Sequence, residues 1–213
     1  MPGVGGKMNA YQRVAIMQAG RALARTGGRL PASMGELKNK DSVLTFPAFA
    51  TGTASITLLN GLQQGTTATT RLGRRIVMKS VYLFGQCQLA PTSTGSVTVR
   101  VVVVYDKQAN ATAPTAADLW GADGINNMNN LSNSRRFVTI IEDIRNLGTA
   151  GPQATFYQKY KKLNLPVEFN AGSAGTIGDI QTGSLYAFVV TTNALGVASL
   201  TTAVQVRVRY SDQ

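Results

Sequence analysis

Residues 201–210, TTAVQVRVRY, place Val204, Val206, Val208 and Tyr210 on one side of an extended chain and Gln205, Arg207 and Arg209 on the other. A period of two fits a strand with one buried and one polar face. It does not fit a helix, whose apolar positions recur every three or four residues. The same signal returns upstream. Residues 97–105 (VTVRVVVVY) stay apolar on both faces after Arg100, which predicts a strand covered on both sides for part of its length. Residues 54–59, 74–89, 135–144, 155–165 and 184–193 also read as strands. Within 74–89, plain alternation puts Ile76, Met78, Ser80 and Tyr82 on one face and Val77, Lys79, Val81 and Leu83 on the other, with Gly85 marking a bulge or bend. Residues 166–170 form a short extended piece, and a short strand is expected near Ile177. With about seven to nine strands, no βαβ unit and no fixed repeat, the expected fold is all-β: a single eight-stranded antiparallel jelly-roll sandwich.

Residues 1–42 have a different character. Lys7, Arg13, Arg21, Arg25, Arg29, Lys38 and Lys40 face only Glu36 and Asp41, a net of +5 out of +11 for the 213-residue chain. Residues 11–25 have helical composition, weakened by Gly20, and 26–42 carry Gly27, Gly28, Pro31 and Gly35. The expected organisation is a basic arm at 1–42, flexible or partly helical, and a β domain at 43–213. A cationic arm on a basic body points to a polyanion, with nucleic acid the leading partner. The candidate phosphate contacts are the seven arm cations, Arg207 and Arg209 on one strand face, and Lys159, Lys161 and Lys162 on another strand. Tyr157 and Tyr160 beside those lysines are candidates for stacking on bases. Arg71, Arg74 and Arg75 cluster at the start of one strand, and Arg135 and Arg136 at the start of another.

Catalysis finds little support. The chain has no histidine and a single cysteine, Cys87, which removes Ser-His and Cys-His pairs and the common zinc sets. Cys87 lies in an apolar run and reads as a small buried hydrophobe. Glu142 and Asp143 are adjacent, so a strand turns them to opposite faces and they form no acid/base pair. Asp118, Asp123 and the nearby asparagines read as solvated loop rather than as a calcium site. No catalytic residue, metal or cofactor is therefore expected. No apolar stretch approaches the roughly 18 residues of a membrane span, and no secretory leader is expected. The insertion at 106–131 is long enough to be functional or to pack on a neighbour. It carries Trp120, the only tryptophan, which reads either as a subunit-interface anchor or as a cap on its own core.

Several stretches together carry a family resemblance: residues 71–83 (RLGRRIVMKSVYL), 99–111 (VRVVVVYDKQANA), 135–143 (RRFVTIIED), 160–169 (YKKLNLPVEF) and 183–190 (GSLYAFVV). Over about residues 43–213 the chain resembles capsid proteins of small circular Rep-encoding single-stranded DNA viruses, circovirus-like and geminivirus-like. The resemblance implies a jelly-roll subunit and a homo-oligomeric T=1 shell of about 60 copies. It implies an interior-facing arm that binds a packaged single strand of DNA, and a virion location after assembly in the host nucleus or cytoplasm. The arm here is sparser in arginine than circovirus-type arms. The residues alone leave a second reading open, a non-viral β-sandwich module that binds nucleic acid or polyanionic glycan.

Overall fold

Strand-forming alternation only becomes a fold once each apolar face finds a partner, and the pairing here is nested. A computed structural model describes residues 37–47, 54–121, 124–192 and 200–213. The innermost pair is β4 (Ser96–Asp106) with β5 (Phe137–Gly148). Around it, β3 (Arg75–Leu89) pairs with β6 (Ala154–Phe169), β2 (Ser55–Leu58) with β8 (Ser184–Thr191), and β1 (Leu37–Val43) with β9 (Leu200–Asp212), all antiparallel. One long hairpin folded over itself produces this order, and it distributes the strands into two sheets: β1-β9-β3-β6-β7 and β2-β8-β4-β5. This is the eight-stranded jelly roll expected from the sequence, with a short addition, β7 (Ile180–Thr182). β7 pairs with β6 only at Glu168 and Phe169.

The inner faces meet in one core. Val81, Leu83, Cys87, Val204, Val206, Val208 and Tyr210 from the five-stranded sheet pack against Val99, Val101, Val103, Leu185, Ala187 and Val189 from the other. Cys87 is fully buried, and burial pushes its thiol up to about 11. Gly85 takes φ +148, and a Cβ there would sit 2.1 Å from the carbonyl oxygen of Ala203, so glycine alone lets β9 lie this close. The register runs unbroken through Gly85. The shift falls instead between Met78 and Ser80. That bulge corrects the plain alternation: Ile76 and Met78 share the buried side with Val81 and Leu83, and Tyr82 turns outward.

β4 is indeed covered on both sides. Val102 and Val104 turn away from the main core into a second cluster with Leu119, Trp120, Tyr186, Phe188 and Val190. The insertion after β4 supplies its lid through α1 (Ala116–Trp120), which Thr115 and Asp118 start with a reciprocal capping box. The Asp118 carboxylate is thereby used as a cap, and its hydrogen bonds from Thr115 hold its pKa below the usual carboxylate range. Arg100 fastens the lid. It donates to Glu142 Oε1 at 2.9 and 2.5 Å and to the carbonyl oxygens of Gly124 and Asn127, and its guanidinium lies 4.8 Å from the centre of the Trp120 ring. Trp120 is 3% exposed and meets Phe188 edge-on at 5.5 Å. Its burial favours the core-cap reading over the interface anchor, because α1 folds the indole down onto β4 and β8.

The β domain also starts earlier than expected. Residues 37–42 belong to β1 rather than to an arm. Lys38 is buried opposite Tyr210, 3.0 Å from the Asp212 carboxylate, and donates to the carbonyl of Thr70. It is a structural ion-pair partner and not a phosphate contact. Lys40 donates to the Gly61 carbonyl, and burial lowers its pKa.

Trp120→Ala should lower the unfolding free energy by roughly 3–5 kcal/mol, the range for truncating a buried aromatic. Gly85→Ala should cost at least about 1–3 kcal/mol through the strained φ. Denaturant midpoints of the two variants, compared with the parent, check both.

Candidate nucleic-acid interface

Because β9 and most of β3 bury alternate side chains against the core, the remaining positions line up with their partners on β1 and β6 as rows across the outer face of the five-stranded sheet. The pairing gives them directly. One row is Asn39, Arg209, Ser80 and Lys162. The next is Asp41, Arg207, Tyr82 and Tyr160, and the third is Val43, Gln205, Phe84 and Gln158. Gln86 and Phe156 follow as neighbours in a fourth. The face is thus basic at one end and aromatic along its middle. Phe84, Tyr160 and Phe156 are 50, 60 and 62% exposed, unusual for large apolar side chains on a sheet. Tyr82 and Phe84 stack at 5.8 Å between ring centres. Asn39, Ser80, Tyr82, Tyr160, Arg207 and Arg209 line a depression of about 430 Å³.

The charges on this face are held in different ways. Arg207 donates from Nε to Asp41 Oδ1 and from Nη2 to Asp41 Oδ2, each at 2.7 Å. These hydrogen bonds hold the Asp41 carboxyl below its ordinary range and raise Arg207 in turn. Among the described residues, Arg209 donates to the neutral Asn39 Oδ1, at 3.2 Å, and faces no carboxylate. A flat array of guanidinium groups and ring faces can do two things at once. The cations can neutralise phosphates, and the rings can stack on unpaired bases irrespective of sequence.

The lysine cluster does not act as a unit. Lys162 shares the row of Arg209, whereas Lys159 and Lys161 occupy the alternate register positions opposite Leu83 and Val81. Lys159 stands 3.7 Å from Asp143, which also pairs with Arg145 at 3.0 Å. Tyr157 is buried in the core, while Tyr160 is on the open face. Several other sequence candidates are structural. Arg71 is buried, donating to the carbonyls of Leu62, Gly73 and Gly172 and lying over the Phe169 ring. Arg75 pairs with Glu168, and Arg136 grips the buried Asp106 at 2.9 and 2.8 Å. Lys7, Arg13, Arg21, Arg25 and Arg29 lie outside the described residues, as does Asp123. Among the described residues no group of three or more potential metal ligands occurs, and no helix is long and apolar enough to cross a membrane.

Tyr82, Phe84 and Phe156 are the site residues that sequence reasoning missed. The signal for Tyr82 was present but lay out of phase, since the bulge at Met78–Ser80 reverses which side it faces.

The chain matches the family described as geminivirus coat protein/nuclear export factor BR1 over residues 20–213. No curated protein matches it. Among solved structures, a chain of desmodium yellow mottle tymovirus is similar, with 12% identity and a TM-score of 0.37, covering 87% of this chain and 94% of that one.

Because Asp41 is paired in the folded chain, its carboxyl should titrate below the roughly 3.9 of a free aspartate. The pairing then contributes above the unfolded-state value and is lost as pH falls through the lower folded value. Carboxyl-carbon NMR shifts followed against pH check this, and Arg207→Ala should bring the midpoint back up.

Proposed function

The chain belongs to the geminivirus coat protein/nuclear export factor BR1 family, and from that premise we propose that it assembles into a closed T=1 icosahedral shell of about 60 copies and packages a single-stranded DNA genome. A viral coat protein is a structural component of the virion. What remains for this chain is how it holds its cargo and its neighbours.

The observation that carries the packaging reading is the row arrangement, which brings Arg207, Arg209 and Lys162 beside Tyr82, Phe84 and Tyr160 on one open sheet face. In the proposed particle this face looks inward. Its cations contact phosphates, and its rings accept unpaired bases. The basic residues before β1, namely Lys7, Arg13, Arg21, Arg25 and Arg29, add charge to the same interior. Binding of this kind tolerates any sequence and weakens steeply with salt.

Subunit contacts fall to the insertion between β4 and β5. Its Trp120 is turned inward, but Met128 and Leu131 on the same insertion are almost fully exposed. Two large apolar side chains left in water next to a rigidly anchored lid suit contact with a second subunit. Assembly is assigned to the host nucleus or cytoplasm.

Electron microscopy of the purified full-length protein, with the ratio of nucleic-acid to protein ultraviolet absorbance of the same fraction, tests the proposal. Uniform small shells with a nucleic-acid-rich ratio are expected. A protein that stays monomeric across salt and pH would overturn the assembly. Deleting residues 1–30 should reduce retained nucleic acid more than shell yield, and shells packaging undiminished cargo without those residues would remove them from the interface.

A further inference from the structure

Two arginines stand one row apart on the same sheet face, and they are not equivalent. Arg209 faces the neutral amide of Asn39. Arg207 is held by a carboxylate through both prongs of its guanidinium. The fork that grips Asp41 is the one arginine uses to grip a phosphate, with two parallel N–H donors to two anionic oxygens. That edge of the guanidinium, Nε and Nη2, cannot serve both anions at once.

We propose that Asp41 is an intramolecular stand-in for phosphate on Arg207, so that the carboxylate and a bound strand compete for the Nε–Nη2 edge of one guanidinium. This rests on the reading of the sheet face as the nucleic-acid interface. The register fixes the competitor in place, because Asp41 and Arg207 are direct partners across β1 and β9, in the row that continues to Tyr82 and Tyr160. The pair is built to open. Arg207 and Asp41 are 56 and 48% exposed, whereas the acid of the Arg136–Asp106 pair and the base of the Arg100–Glu142 pair are almost wholly covered. A half-exposed pair contributes little to holding the fold, so a phosphate can displace the carboxylate without disturbing the sheet. Glu168, at the far end of β6, is already engaged by Arg75 and does not compete.

The consequence is binding in two grades. Arg209 and Lys162 meet the strand first, and Arg207 gives its bidentate grip only where a phosphate replaces Asp41. Asp41 keeps the face below its maximum affinity and contributes a negative charge that a passing strand must overcome.

The test is fluorescence anisotropy of the full-length chain with a labelled oligothymidine, which carries unpaired bases only, over a series of salt concentrations. Asp41→Asn keeps the shape and removes the charge, and Asp41→Ser removes the fork's partner altogether. Melting curves establish that each variant is folded. Both should bind more tightly than the parent, by about twofold to fivefold, the range to which the coupling of an exposed pair converts. The salt slope should steepen by about 0.7, one further single-strand phosphate contact. Arg207→Ala should weaken the Asp41→Asn protein more than it weakens the parent, as expected of coupled neighbours. Unchanged affinity and slope in both Asp41 variants, with Arg209→Ala binding more weakly than the parent, would overturn the competition while leaving the interface standing. If Arg209→Ala and Lys162→Ala both bind like the parent, the interface reading itself falls, and the competition with it.

Discussion

The phase of β3 decides what this molecule shows to solvent. β3 lies between β9 and β6, and every row on the outer face passes through it. The one-residue bulge between Met78 and Ser80 lets Ile76 and Met78 stay in the core at one end of the strand while Val81 and Leu83 fill it further along. Without the extra residue, one of those two pairs would face water and the other would displace it from the core. Tyr82 and Phe84 are outside because that conflict is resolved, and Gly85 then lets β9 close against the strand tightly enough to set Arg207 beside Tyr82.

Much of this was legible beforehand, for a physical reason. Residues 201–210 alternate without interruption, and the strand they form buries Val204, Val206, Val208 and Tyr210 and exposes Gln205, Arg207 and Arg209 as written. The run after Arg100 announced its double burial because no polar residue relieves it. What escaped reading depends on events that composition does not encode. A bulge leaves no fixed residue signature, so the side assigned to Tyr82 was reversed. Lys38 looked like one more cation of a basic arm, and only the strand pairing that places it near Asp212 reveals it as an ion-pair partner. Trp120 could be read two ways, and the short helix that turns it inward is decided by its capping residues and by the anchoring of its loop.

Arg100 shows how one polar side chain on an apolar strand can organise a segment with little regular structure of its own. It interrupts a valine run, yet the ion pair to Glu142, the carbonyls of Gly124 and Asn127 and the Trp120 ring satisfy it together. Gly124 lies so close to the indole that a Cβ would come 2.2 Å from the ring, which further fixes the path of the lid. The insertion therefore carries Met128 and Leu131 on a stable footing rather than on a loose loop.

The limited reach of β7 has its own consequence. Since β7 covers β6 only at Glu168 and Phe169, the stretch from Ala154 to Val167 keeps one side of its backbone unpaired among the described residues. An open strand edge of that length is a template on which identical chains can add to one another without end, giving fibrils in place of finite particles. Here the edge carries Lys159, Lys161 and Lys162, so two copies brought edge to edge would confront like charges, and Pro166 offers no N–H to a newcomer. Such an edge sets like charges against one another wherever two copies would add strand to strand.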